Sequence, residues 1–183
     1  MTDTGSNNTT GDTPEQRARL TQDLATTLAE LALGLSVNIT TAESCTGGLV
    51  AAALTAVPGS SAWFRQGVVT YSNEAKMSLL NVPAGVLERH GAVSEACVLA
   101  MVAGALRASS ARVAVSVSGV AGPGGGSAAK PVGCVWIGWA VDEQLSAAVF
   151  QLSGDRRSVR EQAVVKALHG IIERLNSMEI THT

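Results

Sequence analysis

A short β-like run, Ser36-Val37-Asn38-Ile39-Thr40, leads into Thr41-Ala42-Glu43-Ser44-Cys45-Thr46-Gly47-Gly48, and a small apolar run over residues 49–57 follows. This order predicts a strand near 36–41, a glycine turn, and a helix over about 44–57. A strand that turns into a helix in this way belongs to a layered α/β fold. It sets two hydroxyls, a thiol and two glycines at the joint. The first-turn N–H groups of such a helix lack intrahelical partners and point at whatever occupies the turn. The joint therefore suits an anion, a developing oxyanion or a nucleophile on a rigid mount. An ordinary Ser/Thr cap with permissive glycines uses the same residues.

The flanking sequence carries further elements. Thr13-Pro14-Glu15-Gln16 is a helix start: Thr13 caps, Pro14 suits the first helical position and Gln16 completes a capping box. Leu20, Leu24, Leu28, Leu31 and Leu35 keep helical spacing, and Gly34 marks the stop. Residues 67–71 predict a strand and 74–80 a helix capped by Ser72 or Asn73. Residues 95–107 predict a helix capped by Ser94, with Val93 and Val98 as a hydrophobic staple. A buried strand is expected over 112–118, a glycine-rich loop over 119–129, and a hairpin of strands over 132–141 and 144–152. The last helix is expected over 156–175, with Val165, Leu168, Ile172 and Leu175 on one stripe. Parallel-type units followed by a hairpin predict a mixed sheet. Residues 1–12 read as a disordered tail, 13–176 as one domain and 177–183 as a C-terminal tail.

The chain has 183 residues, 46% of them hydrophobic, which suits a single sizeable core and excludes a disordered chain. No apolar run reaches the ~18–20 residues of a membrane-spanning helix. The N-terminus lacks an apolar signal core. A net charge of -2 and 3% aromatic residues give no expectation of a nucleic-acid or membrane partner. Cys45, Cys97 and Cys134 are widely spaced, an arrangement of neither a disulfide framework nor a zinc site. His90, His169 and His182 are not in ligand spacing, so no metal is expected. Reduced thiols point to a cytoplasmic protein.

Three more segments carry candidate chemistry. In Tyr71-Ser72-Asn73-Glu74-Ala75-Lys76, Tyr71 ends a strand and Lys76 lies about one turn into a helix. A lysine near a phenol favours the phenolate, and a phenol so tuned can take a proton from a serine. Tyr71 is the only tyrosine, and no His/Asp pair lies near Ser44 in sequence, so Tyr71 and Lys76 are candidate activators of Ser44. A surface tyrosine and a solvated lysine fit the same spacing. Cys45 is the rival nucleophile, because a helix N-terminus can lower a thiol pKa. A packed, inert thiol is the other reading. The loop Ser118-Gly119-Val120-Ala121-Gly122-Pro123-Gly124-Gly125-Gly126-Ser127 lets backbone approach a ligand closely. It is neither a phosphate-binding Walker loop nor a dinucleotide fingerprint, and a flexible connection is the alternative. Finally, Arg156, Arg157 and Arg160 open the last helix, where cations oppose the helix dipole. An anionic ligand or a carboxylate such as Asp155 would balance them.

Taken together, TAESCTGG, VPGSSAWF followed by GVVTYSNEAK, GAVSE, SGVAGPGGG followed by KPVG, and GDRRSVR resemble the C-terminal domain of the competence/damage-inducible CinA family. The resemblance runs from about residue 15 to 175. It implies a three-layer α/β/α sandwich with a mixed sheet. In active members it implies hydrolysis of the carboxamide of nicotinamide mononucleotide, without a metal or organic cofactor. The family's serine falls on Ser44, its tyrosine on Tyr71 and its lysine on Lys76. On that basis Ser44 is expected to attack the amide, with Tyr71 relaying the proton and Lys76 holding its charge state. The N–H groups of Cys45, Thr46, Gly47 and Gly48 are expected to hold the oxyanion. Ser118, Gly119, Gly122, Gly124 and Gly125, with Arg156 or Arg160, are expected to hold the ribose and phosphate. A non-catalytic nucleotide-binding or interaction module, and an amidase of another small amide, stay open as alternatives. A homodimer is expected from apolar stripes on the first and last helices.

Overall fold

A computed structural model describes residues 13–180, so the expected tail over 1–12 lies outside the described residues. Along the chain run α1 (Pro14–Gly34), β1 (Ile39–Glu43), α2 (Leu49–Thr55), β2 (Phe64–Val69), α3 (Asn73–Leu80), α4 (Ala84–His90), α5 (Glu95–Ser109), β3 (Val113–Gly119), β4 (Cys134–Val141), β5 (Gln144–Gln151) and α6 (Arg156–Ile180). The capping box of α1 forms as its sequence requires. Thr13 Oγ1 accepts from the Gln16 N–H at 3.2 Å, and Gln16 Oε1 accepts from the Thr13 N–H at 2.8 Å.

The five strands lie in the order β2-β1-β3-β4-β5. β1 is parallel to both β2 and β3, and β3, β4 and β5 are antiparallel neighbours. The sheet is therefore mixed, as the hairpin predicts. Strand alternation divides its side chains between two cores. Ile39, Val113, Val115, Val117, Ile137 and Trp139 pack with Leu28, Leu54, Leu168 and Ile171 of α1, α2 and α6. On the other face Ala42, Ala114 and Ala140 meet Leu80 of α3 and Met101 and Val102 of α5. Small residues on this second face let α5 lie close, and Ser116 Oγ donates to the Val98 carbonyl at 2.7 Å. The three-layer α/β/α sandwich is thus the observed architecture.

Several elements differ from the sequence reading. β2 covers Phe64–Val69 where a strand over 67–71 was expected, so Tyr71 lies beyond its end, and α2 starts later than expected. α4 was not expected; it is seven residues long, begins after Pro83 without a side-chain cap and buries no residue. It therefore carries neither a stripe nor a cap to announce it. α6 continues to Ile180, and its inner stripe is Val159, Ala163, Val164, Ala167, Leu168, Ile171 and Leu175. Val164 faces inward where Val165 was expected, and Ile171 joins the expected Ile172, which packs partly buried against the same core. The α1 and α6 stripes share one core, so they give no support to the expected homodimer.

Close helix packing makes Gly104 a sensitive position. A Cβ added there would lie 2.9 Å from the Leu80 Cβ and collide with the Leu80 carbonyl oxygen. Gly→Ala inside a helix ordinarily gains up to about 1 kcal/mol. Overpacking against backbone outweighs that, at about 1–3 kcal/mol. Gly104→Ala is therefore expected to lower the urea midpoint without changing the slope of the transition.

Candidate active site

The joint forms one residue at a time from the end of β1. Glu43 pairs with Val69 on one side and Val117 on the other. Beyond it the Ser44 N–H still donates to the Val117 carbonyl at 2.9 Å, so the first residue of the turn is anchored to the sheet. The Gly47 N–H donates back to the Ser44 carbonyl at 3.0 Å. Gly47 and Gly48 adopt φ of 61° and 97°, which residues with a Cβ rarely tolerate. α2 then starts at Leu49, so the first part of the expected helix is this turn.

Glu43 is a member of the joint whose part the sequence reading missed. Its buried carboxylate accepts from the N–H groups of Gly48 at 3.0 Å, Val50 at 3.1 Å and Ala51 at 2.8 Å. The start of α2 is therefore closed by an internal anion, and a ligand does not meet it. Of the four N–H groups expected to hold an oxyanion, Gly48 serves Glu43 and Gly47 serves Ser44. Those of Cys45 and Thr46 donate to no acceptor among the described residues. The available signal was spacing: a carboxylate that ends a strand five residues before an uncapped glycine is within reach of the helix start.

Lys76 reaches the joint from α3, whose start Ser72 caps by accepting the Ala75 N–H at 3.1 Å. Lys76 Nζ lies 3.0 Å from Ser44 Oγ and donates to the Thr70 carbonyl at 2.8 Å. Lys76 is 1% exposed and Ser44 9%. Burial lowers the Lys76 pKa below the usual 10.5 of a lysine. No carboxylate among the described residues pairs with it. Burial pushes the Cys45 thiol up to about 11, against the smaller opposing pull of its own backbone N–H and of Arg160. Cys45 is thus a packed, protonated thiol, and Ser44 is the hydroxyl beside an amine.

Tyr71 stands apart from Lys76. It is 60% exposed, and its hydroxyl accepts from Arg156 Nη2 at 2.6 Å. Arg156 Nη1 donates to the Gly122 carbonyl at 2.9 Å, joining the glycine loop to Tyr71. Arg160 donates from Nε to the Cys45 carbonyl at 3.1 Å and from Nη2 to the Thr46 carbonyl at 2.8 Å. A cavity of about 640 Å³ opens beside these groups, lined by Ala121, Pro123, Val132, Asp155, Arg156 and Arg160 among others. The predicted residues thus form two linked sets, Ser44 with Lys76, and Tyr71 with Arg156 and the loop.

Other members of the expected binding set serve the fold. Ser118 is buried, with its hydroxyl donating to the Ala92 carbonyl at 2.8 Å. Gly119 lets β3 lie close to β4, where a Cβ would come within 2.8 Å of the Cys134 carbonyl oxygen. Gly122 is packed on Val132, whereas Gly124 and Gly125 have open space where a side chain would stand. Asp155 accepts the Ser158 N–H at 2.8 Å, and Arg157 pairs with Glu161 at 2.6 Å. Among the described residues no group of three metal-binding side chains forms, and no helix is long and apolar enough to cross a membrane.

A doubly wound edge, a serine at a strand–helix joint and a buried lysine against its hydroxyl define a layered α/β protein with a serine–lysine site. The chain belongs to the CinA C-terminal domain family, whose model matches residues 21–175. It is 53% identical to a Pseudomonas putida protein called nicotinamide-nucleotide amidohydrolase PncC, over 82% of this chain and 94% of that one. It is 53% identical to the protein of that name from Escherichia coli K12, over 71% of this chain and 79% of that one. The crystal structure of the competence damage-inducible protein A from Klebsiella pneumoniae superposes with a TM-score of 0.83 at 42% identity, covering 85% of this chain and 97% of that one.

All three cysteines are buried and free. Ellman's reagent is therefore expected to find almost no reactive thiol in the native protein at pH 7.5 and all of them after denaturation. Rapid native labelling of Cys45 would contradict its burial and raised pKa.

Proposed function

We propose that this protein hydrolyses the carboxamide of nicotinamide mononucleotide to nicotinate mononucleotide and ammonia, with Ser44 as nucleophile and Lys76 as its base. The observation that carries the reading is the buried Lys76–Ser44 contact at 3.0 Å in a chain whose relatives bear the amidohydrolase name. A neutral amine donates one hydrogen to the Thr70 carbonyl and turns its lone pair to the Ser44 O–H. Burial without a carboxylate partner favours that neutral form.

Ser44 Oγ attacks the amide carbon as its proton passes to Lys76. The carbonyl electron pair moves to oxygen, which the free N–H groups of Cys45 and Thr46 receive. Collapse breaks the C–N bond, and Lys76 returns the proton to the departing nitrogen as ammonia. Lys76, neutral again, takes a proton from water, which attacks the acyl ester. The second collapse releases the acid and restores the Ser44 hydroxyl. In this route the proton passes directly between Ser44 and Lys76. Tyr71 lies outside it, at the rim with Arg156.

The nucleotide's anionic end belongs beside Arg156 and Arg160. They bond backbone carbonyls and a phenol, and neither forms an ion pair with a carboxylate among the described residues. Gly124 and Gly125 leave room for a ligand near that rim. The buried, free thiols fit a cytoplasmic setting, and light scattering at twice the chain mass would support the expected homodimer.

Wild-type protein is expected to release ammonia from nicotinamide mononucleotide. Ser44→Ala and Lys76→Arg should each cut kcat by about 10³-fold or more while both remain folded. Arginine keeps the positive charge but cannot serve as a base. In the wild type, kcat should rise with pH through the lowered Lys76 pKa. Wild-type turnover by Lys76→Arg would remove Lys76 as the base. Nucleotide binding without ammonia release would favour a binding module.

A further inference from the structure

We propose that Glu43 is the positioning residue of this site: its carboxylate closes the turn that holds Ser44 against Lys76. The inference rests on reading Ser44 as the nucleophile and assigns the adjacent carboxylate a task of its own. Glu43 is 1% exposed, and its three backbone partners lie on the far side of the turn. Its main chain is held as well, because its carbonyl accepts the Thr70 N–H at 2.7 Å. That makes residues 43–48 a closed ring. The backbone of β1 fixes one end, and the Glu43 side chain fixes the other to the first turn of α2.

Ser44 lies inside this ring, next to the clamp. Thr70, which gives its N–H to Glu43, gives its carbonyl to Lys76 Nζ at 2.8 Å. Glu43 is therefore tied to the nucleophile by one covalent link and to the seat of the base by one residue. Its carboxylate itself faces α2, whereas Lys76 arrives from α3 in the other layer. It orients both partners without pairing with the lysine. It also occupies the α2 N–H groups, leaving the Cys45 and Thr46 N–H groups for an oxyanion.

Glu43→Gln keeps the length of the side chain and removes one of the two acceptor oxygens. Two rates are read on protein shown to be folded by circular dichroism and to melt above the assay temperature. They are ammonia release from nicotinamide mononucleotide, and labelling of Ser44 by a fluorophosphonate. A loosened turn is expected to lower kcat and the labelling rate together by about 30-fold, with KM within about 3-fold of wild type. Glu43→Asp keeps the charge and shortens the reach, so it should fall in the same direction. It carries the comparison if the Gln variant does not fold. A folded variant with both rates within about 3-fold of wild type would reduce Glu43 to a helix cap and overturn the proposal. So would a rise in KM with unchanged kcat. If the wild type is labelled at Ser44 but releases no ammonia, the amidase reading fails and the labelling rates still decide the role of Glu43. If wild-type Ser44 is not labelled and no ammonia appears, the nucleophile fails and the proposal falls with it.

Discussion

β1 is paired on both sides and buried along its whole length, and its alternation decides which layer Ala42 and Glu43 enter. Thr41 and Glu43 turn toward α2, while Ala42 turns toward α5. Had the register slipped by one residue, the Glu43 carboxylate would enter the layer that holds Lys76. A carboxylate about 4 Å from that amine would favour its charged form by on the order of 4 kcal/mol at an effective dielectric of about 20. On the proposed route the lysine would then be locked as a cation and lost as a base. The sheet separates the two groups, although Glu43 is bonded directly to Ser44.

Local chemistry made much of the fold legible in the sequence. The capping box at Thr13, the Ser72 and Ser94 caps and the valine alternation of β3 each act over a few residues, and each appears where it was expected. The joint at residues 41–48 was legible for the same reason. The partner of Ser44 was less so. Residues 71–76 place Lys76 close to Tyr71 along the chain, which suggested that the lysine acts on the phenol. In the fold, α3 turns the Lys76 side chain inward to Ser44 and Thr70, while Tyr71, which precedes the helix, meets Arg156. That choice is made by which face of α3 meets α5, and no local pattern records it. Ser118 and Gly119 have packing partners in the fold that the sequence did not announce, for a related reason. A glycine needed for close strand packing and a glycine needed for a ligand look alike until the neighbouring strand is in place.

The buried lysine also sets a tension between stability and chemistry. Its pKa is lowered in the fold, so the unfolded chain binds more protons between that lowered value and the usual 10.5. Stability contributed by this group therefore rises with pH across that window and is least below it, where the amine must be charged in both states. The Thr70 carbonyl and Ser44 hydroxyl offset part of the desolvation, but neither supplies a charge. The surrounding layers hold the strain: Leu80 and Cys97 are fully buried in the core beneath α3, and Ala42 closes the sheet side. The proposed route needs a neutral amine, and burying Lys76 between well-packed layers favours that form.

The rim follows the opposite rule. Arg156 and Arg160 contact carbonyl oxygens, which orient a guanidinium without neutralising it. Nearby carboxylates are engaged elsewhere, Asp155 with the Ser158 N–H and Glu161 with Arg157 and Arg17. Arg156 and Arg160 therefore keep their charge at the cavity, whose wall also carries Asp155, while burial lowers the pKa of the inner Lys76 amine. On the proposed function, an anionic substrate would be drawn to the rim by charge, and its uncharged amide would enter where charge is disfavoured. Arg160 alone holds the Cys45 and Thr46 carbonyls, so a trans peptide directs the Thr46 N–H away from Arg160, which on the proposed route leaves it for a developing oxyanion. Charge outside and dryness inside are thus joined through one side chain, Arg160.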